Sequence, residues 1–82
     1  MTLHDDVLAM LDDALTLGGR ATRFTADTPL LGALPELDSM AVVALLTAIE
    51  DRFGFAVPDD EISGETFATV GSLTAFIAGH TA

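Results

Sequence analysis

The sequence has no cysteine, lysine, tryptophan or tyrosine. Without cysteine there is no disulfide framework, thiolate nucleophile or cysteine-based zinc site. The only basic side chains are Arg20, Arg23 and Arg52, against 13 acidic ones, which gives a formal charge of −10 with histidine neutral. Duplex binding needs clustered Lys and Arg to displace phosphate counterions, and three dispersed arginines form no such footprint. Nucleic acid and anionic membrane are therefore excluded as expected partners. The longest uncharged stretch that reads as helix, Ser39 to Ile49, has eleven residues, short of the roughly 20 that cross a bilayer, so no membrane span is expected. Met1 to Asp6 carry neither a basic segment nor an apolar run, and a cytoplasmic location is expected.

Aromatic bulk is also scarce, at five Phe in 82 residues. A domain this small buries only about 60% of its unfolded-chain surface, which leaves little for a core that also encloses a reaction cavity. A self-contained enzyme is not expected. Apolar residues, by contrast, make up half the chain, too many for the disorder that high net charge alone favours. The reading is one small domain over residues 1–82, expected to be monomeric.

Three helices can be placed from spacing and caps. Thr2 followed by Asp5 resembles a capping box, and Leu3, Val7, Met10, Leu11, Ala14 and Leu15 recur at helical spacing, which predicts a helix from Leu3 to Leu17 stopped by Gly18-Gly19. Arg20 to Leu37 reads as a long crossing loop pinned to the core by Leu30, Leu31 and Leu34. Asp38 then caps the most regular segment, which ends before Gly54. Val42, Leu45, Leu46, Ile49 and Phe53 share its inner side, while Met40, Ala44, Thr47 and Asp51 form an outer stripe. Asp59 to Ser63 reads as one further helical turn. Thr69 caps a last helix from Val70 to about Ala78, with Val70, Leu73, Phe76 and Ile77 inward and Gly79 just beyond. The fold class expected is all-α, a small bundle of three main helices plus one short helix.

Ser39 stands in the first turn of the best helix, directly after a long loop. Backbone N–H groups and the positive end of the helix dipole favour negative charge there, by roughly 0.3 to 1 kcal/mol when exposed. A phosphodiester on that hydroxyl is physically reasonable, and a plain cap followed by a polar residue is the alternative that spacing leaves open.

Leu34-Pro35-Glu36-Leu37-Asp38-Ser39-Met40, the apolar helix, Phe53-Gly54-Phe55-Ala56-Val57-Pro58-Asp59-Asp60-Glu61 and Phe67-Ala68-Thr69-Val70-Gly71-Ser72-Leu73 together resemble the acyl carrier protein family over nearly the whole chain. The resemblance implies that a phosphopantetheinyl transferase attaches 4′-phosphopantetheine from coenzyme A to Ser39, with Asp38 as cap and part of the transferase motif. The arm's thiol would hold an acyl group as a thioester, so the protein itself is a carrier and not a catalyst. Other implied partners are a loading ligase, acyl or aminoacyl, and acyl-transferring or synthase enzymes of a fatty-acid, polyketide or specialised pathway. The same resemblance implies partner or arm contacts at Met40, Val43, Ala44, Thr47, Glu50, Asp51 and Ile62. It also implies an acyl cleft lined by Leu46 and Ile49, with Val43 and Ile62 beside them, and plain core is the alternative that the residues themselves leave open.

Two departures narrow this reading. Fatty-acid carriers usually read Gly-Ala-Asp-Ser-Leu where this chain has Glu36-Leu37-Asp38-Ser39-Met40, and their outer helix stripe is rich in Glu, where this chain has Met40, Ala44 and Thr47. Close contact is then expected to rest more on Met40 and Ala44 than on charge. The Leu-Asp-Ser-Met form is also similar to D-alanine carriers and to carriers of specialised pathways, so an aminoacyl carrier loaded by an adenylating ligase is the alternative within the same chemistry.

Other functions fit less well. If Asp59 opens a calcium loop, its position twelve is Val70, where a bidentate Glu is required. No metal site is expected. A hydrolytic Ser39 needs a base, and His4 and His80 lie at the two ends of the chain, where exposed terminal residues are expected. Neighbouring acids such as Asp5-Asp6, Asp12-Asp13 and Glu50-Asp51 point to different helix faces and read as solvated charge, so no catalytic residue is assigned. An unmodified helical interaction module using the Met40, Ala44 and Thr47 stripe is the remaining alternative.

Overall fold

The computed structural model describes residues 2–34, 37–57 and 64–81. Within them the chain forms α1 (Leu3–Leu15), α2 (Ser39–Phe53) and α3 (Val70–Thr81), with a 3-10 turn at Arg20–Arg23. The described residues form no strand, only an isolated bridge between Pro29 and Thr69. The all-α architecture is as expected. Ile62 and the turn expected over Asp59 to Ser63 lie outside the described residues. No described helix is long and apolar enough to cross a membrane.

The capping box of α1 is present, with the Asp5 N–H donating to Thr2 Oγ1 at 3.2 Å and the Thr2 N–H to Asp5 Oδ2 at 3.4 Å. The helix nevertheless stops two residues before the expected Leu17, and no glycine stops it. Thr16 takes the left-handed conformation, φ 54°, and the Leu17 N–H reaches back to the Asp12 carbonyl at 3.0 Å. This early turn lets Leu17 enter the core, where it is buried. Gly18 and Gly19, both at positive φ, shape the following turn, where side chains would be strained. Asp12 holds that turn by accepting from the Gly19 and Ala21 N–H groups at 2.8 and 3.3 Å. The expected loop therefore contains a 3-10 turn that buries Ala21.

Leu30 and Leu37 anchor the remaining crossing segment and Leu34 packs against the core, but the Leu31 side chain is 44% exposed and lies outside the core. Backbone bonds tie this segment to the approach to α3. The Leu30 and Leu31 N–H groups donate to the Ala68 and Phe67 carbonyls at 2.9 Å, and the Val70 and Gly71 N–H groups donate back to Thr28 and Ala26 at 3.0 and 2.8 Å.

In α2 the cap, both ends and the two faces follow the sequence pattern. Leu45 and Ile49 are fully buried, Val42, Leu46 and Phe53 pack partly buried against the core, and Met40, Ala44, Thr47 and Asp51 are exposed. Gly54 closes the helix at φ 75°. In α3, Thr69 caps as expected, its Oγ1 accepting from the Ser72 N–H at 3.1 Å. The helix continues past Gly79 to Thr81 because His80 has a packing partner. Its ring lies parallel to Phe55 at 4.8 Å and tilted against Phe76 at 4.9 Å. His80 and His4 are both half-buried, contrary to the exposed positions expected for them.

The core joins Val7, Met10 and Leu11 of α1, Leu30 of the crossing segment, Leu45 and Ile49 of α2, and Val70, Leu73 and Ile77 of α3. Each large aliphatic side chain so buried contributes roughly 1.5 to 3 kcal/mol.

Candidate functional site

Three helix starts are available as sites, and they differ in what their first turns leave open. At α1 the Thr2 hydroxyl is engaged by Asp5, and Asp5 and Asp6 already place negative charge in the first turn. At α3 the N–H groups of Val70, Gly71, Ser72 and Leu73 donate to Thr28, Ala26, Thr69 Oγ1 and the Thr69 carbonyl. The Ser72 hydroxyl there is half-buried, accepts from the Thr69 N–H at 3.1 Å and lies 3.1 Å from the Thr66 carbonyl.

At α2 the Asp38 carboxylate accepts from the Ala41 N–H at 2.8 Å, and the Asp38 carbonyl from Val42 at 3.0 Å. The N–H groups of Ser39 and Met40 find no acceptor among the described residues. Ser39, the first helical residue, is exposed, as are its neighbours Asp38 and Met40. Leu37, two residues before it, is buried at 4% exposure, so the approach to this start is fastened to the core while the serine itself projects into solvent. An exposed hydroxyl beside two open backbone donors fits an ester-linked phosphate, whose charge the donors and helix dipole stabilise.

The other residues singled out from sequence fall into distinct settings. Met40 and Val43 are 79% and 60% exposed and, with Ala44 and Thr47, continue from Ser39 along the outer side of α2. Leu46 is half-buried and Ile49 is fully buried in the core. Glu50 has an internal task that sequence reasoning missed, since its Oε2 accepts from the Val57 N–H at 2.9 Å and fastens the segment after α2. Asp51 is exposed at the far end of the stripe. A groove of about 430 Å³ lies on α1 and the following turn, lined by Asp5, Leu8, Asp12 and Thr22 among others. A second, lined by Met10, Ala14, Ala48 and Asp51, lies between α1 and the end of α2. Neither includes Leu46 or Ile49. No group of three or more metal-ligating side chains occurs among the described residues.

Residues 5–77 match the family described as phosphopantetheine attachment site. The chain is 36% identical over 81 residues to an acyl carrier protein of Sulfurovum sp. strain NBC37-1, covering 94% of this chain and 96% of that protein. With an acyl carrier protein of Beutenbergia cavernae the identity is 36% over 44 residues, and the match spans 54% of this chain and about half, 51%, of that relative. The solution structure of a holo acyl carrier protein from Nitrosomonas europaea superposes with a TM-score of 0.86 at 51% identity, covering 98% of this chain and 95% of that one.

Proposed function

This chain belongs to the acyl carrier protein family, and we propose that Ser39 is the residue that bears its 4′-phosphopantetheine group. When attached, that group supplies a terminal thiol on which an acyl chain is carried as a thioester. The observation that carries the assignment is the contrast among the helix starts. Among the described residues, α2 alone presents an exposed hydroxyl in a first turn with open backbone donors.

Each residue of the start has its own part. Ser39 Oγ would lose its proton to the transferase and form the new phosphate ester as the pyrophosphate bond of coenzyme A breaks, with adenosine 3′,5′-bisphosphate as the leaving group. The Ser39 and Met40 N–H groups, with the helix dipole, would stabilise the negative charge that the attached phosphate carries on its non-bridging oxygens. Asp38 fixes the turn through Ala41, so the hydroxyl projects from a rigid helix. The whole of residues 1–82 acts as one monomeric carrier domain in the cytoplasm. It performs no bond chemistry on its cargo, and its partners are a phosphopantetheinyl transferase, a loading ligase and acyl-transferring enzymes.

Coexpression with a broad-specificity phosphopantetheinyl transferase tests this. Intact-mass spectrometry should show the wild type gaining the arm and Ser39→Ala remaining at the mass of the bare chain. Modification of Ser39→Ala to the wild-type extent would place the arm elsewhere.

A further inference from the structure

Acids that neighbour each other in α1 diverge, but acids two turns apart converge. Seven residues of helix bring Asp12 back to within about 20° of Asp5, about 10 Å further along the axis, and Leu8 and Ala9 fall between them on the same side. A groove of about 430 Å³ runs there, between this side of α1 and the turn that follows, with Gly19 and Thr22 opposite. Its floor is apolar, since Leu8 is 8% exposed and Ala9 is half-buried.

Hydrogen bonds hold the groove in shape. Asp12 Oδ2 ties the turn to α1 by accepting from the Gly19 and Ala21 N–H groups at 2.8 and 3.3 Å, and the Thr22 hydroxyl donates to the Gly19 carbonyl at 2.8 Å. Three acids and no base line it. Asp13 is drawn away to Arg52 at 3.6 Å. Asp5 and Asp12 each use Oδ2 within the fold, and the Oδ1 of each has no hydrogen-bond partner among the described residues. Arg20, beside Gly19 in the chain, does not line the groove, and its Nε donates to the Leu17 carbonyl at 3.1 Å.

We propose that this groove is a docking site for a basic segment of a partner protein, whose Arg or Lys side chains lay their methylene stems over Leu8 and Ala9 and carry their charges to Asp5 and Asp12. Such side chains are apolar along the stem and charged at the tip, which is the order in which the groove presents its own chemistry from floor to rim. Charge complementarity decides the occupant. An acidic segment would meet like charge, and a purely apolar one would desolvate two carboxylates with no cation to answer them. No residue of α2 lines the groove, so it is separate from the start that bears Ser39, and docking here does not depend on what Ser39 carries.

An acetylated tetra-arginine amide, titrated into isotope-labelled protein at near-physiological salt and followed by NMR, tests this, with the neutral tetracitrulline analogue as control. Saturable shifts are expected at the amides of Leu8, Ala9, Asp12, Gly19 and Thr22 with the arginine peptide and not with the citrulline one. Ala9→Lys puts a cation on the floor and should raise Kd by about tenfold or more. Ala75→Lys, the same charge change at an exposed position of α3, should stay within about twofold of wild type. Asp5→Asn, which keeps an acceptor for the Thr2 N–H, should raise Kd about threefold, the scale of one exposed ion pair. Circular-dichroism melting confirms that each variant is folded. No binding, shifts centred elsewhere, an equal response to the citrulline peptide, or equal effects of Ala9→Lys and Ala75→Lys would overturn the proposal. The Ala9→Lys protein should still gain the arm at Ser39 by intact mass, and loss of that modification would show that the two sites are not separate.

Discussion

The starts of α2 and α3 use the same device and reach opposite ends. Each opens with a side-chain oxygen that accepts an N–H in the first turn, Asp38 for Ala41 and Thr69 for Ser72. At α3 the crossing segment then closes over the cap, supplying the carbonyls of Thr28 and Ala26 and leaving Ser72 half-buried. At α2 the corresponding turn stays exposed, with Leu37 holding the approach to the core from beneath. Cap chemistry alone does not decide whether a helix start stays open to solvent. What packs on the cap decides it.

The sharpest way to break this comparison is to remove each serine. Ser39→Ala should abolish attachment of the arm with little change in melting temperature. Ser72→Ala should leave attachment intact but lower stability by about 1 to 3 kcal/mol, because the half-buried Thr69 N–H loses its acceptor. Denaturant unfolding and intact mass on the same two proteins check both halves. Reversed effects would show that the exposed and closed starts have been assigned the wrong way round.

The next largest effect concerns the seam that closes α3. A methyl at Gly71 would lie 2.9 Å from the Ala26 carbonyl oxygen and 3.3 Å from its Cβ. Gly71→Ala should therefore cost about 1 to 2 kcal/mol despite the better helix propensity of Ala, a fall of several degrees in a domain of this size. Gly79, in the same helix, has nothing within 4 Å of an added methyl, so Gly79→Ala should stabilise by about 0.4 to 1 kcal/mol. Thermal unfolding of the pair separates seam strain from propensity, since propensity alone would raise both midpoints.

Smaller effects follow at α2. Asp38→Ala should cost about 1 kcal/mol, the usual value of an N-cap, as read from urea unfolding; no change would mean that water replaces the cap fully. Smallest is Arg52→Gln. It removes a 3.6 Å ion pair with Asp13 whose side chains are 40% and 82% exposed, and the change in unfolding free energy should stay below about 0.5 kcal/mol.

What the sequence revealed divides along the same line. The cap, faces and end of α2 were legible because each depends on residues a few positions apart: Asp38 on Ala41, Leu45 on Ile49, Gly54 on Glu50. Ser39 was legible for the same reason, as a hydroxyl in the first turn of that helix. The features missed are settled by distant partners. α3 runs past Gly79 because His80 meets Phe55, and α1 stops at Leu15 because Leu17 is drawn into the core. The seam between residues 26–31 and 67–71 is made of backbone groups, which carry no mark in the side-chain pattern. Glu50 looked like surface charge because its bond to Val57 forms only once the chain has turned at Gly54.

The most direct test is to recover the native polypeptide from its producing cell, grown with its pathway active, and to fragment it in a mass spectrometer. The account predicts a mass above that of the bare chain, with fragment ions that locate the phosphodiester on Ser39. A chain found only at its unmodified mass, or bearing the group on any other residue, would contradict it.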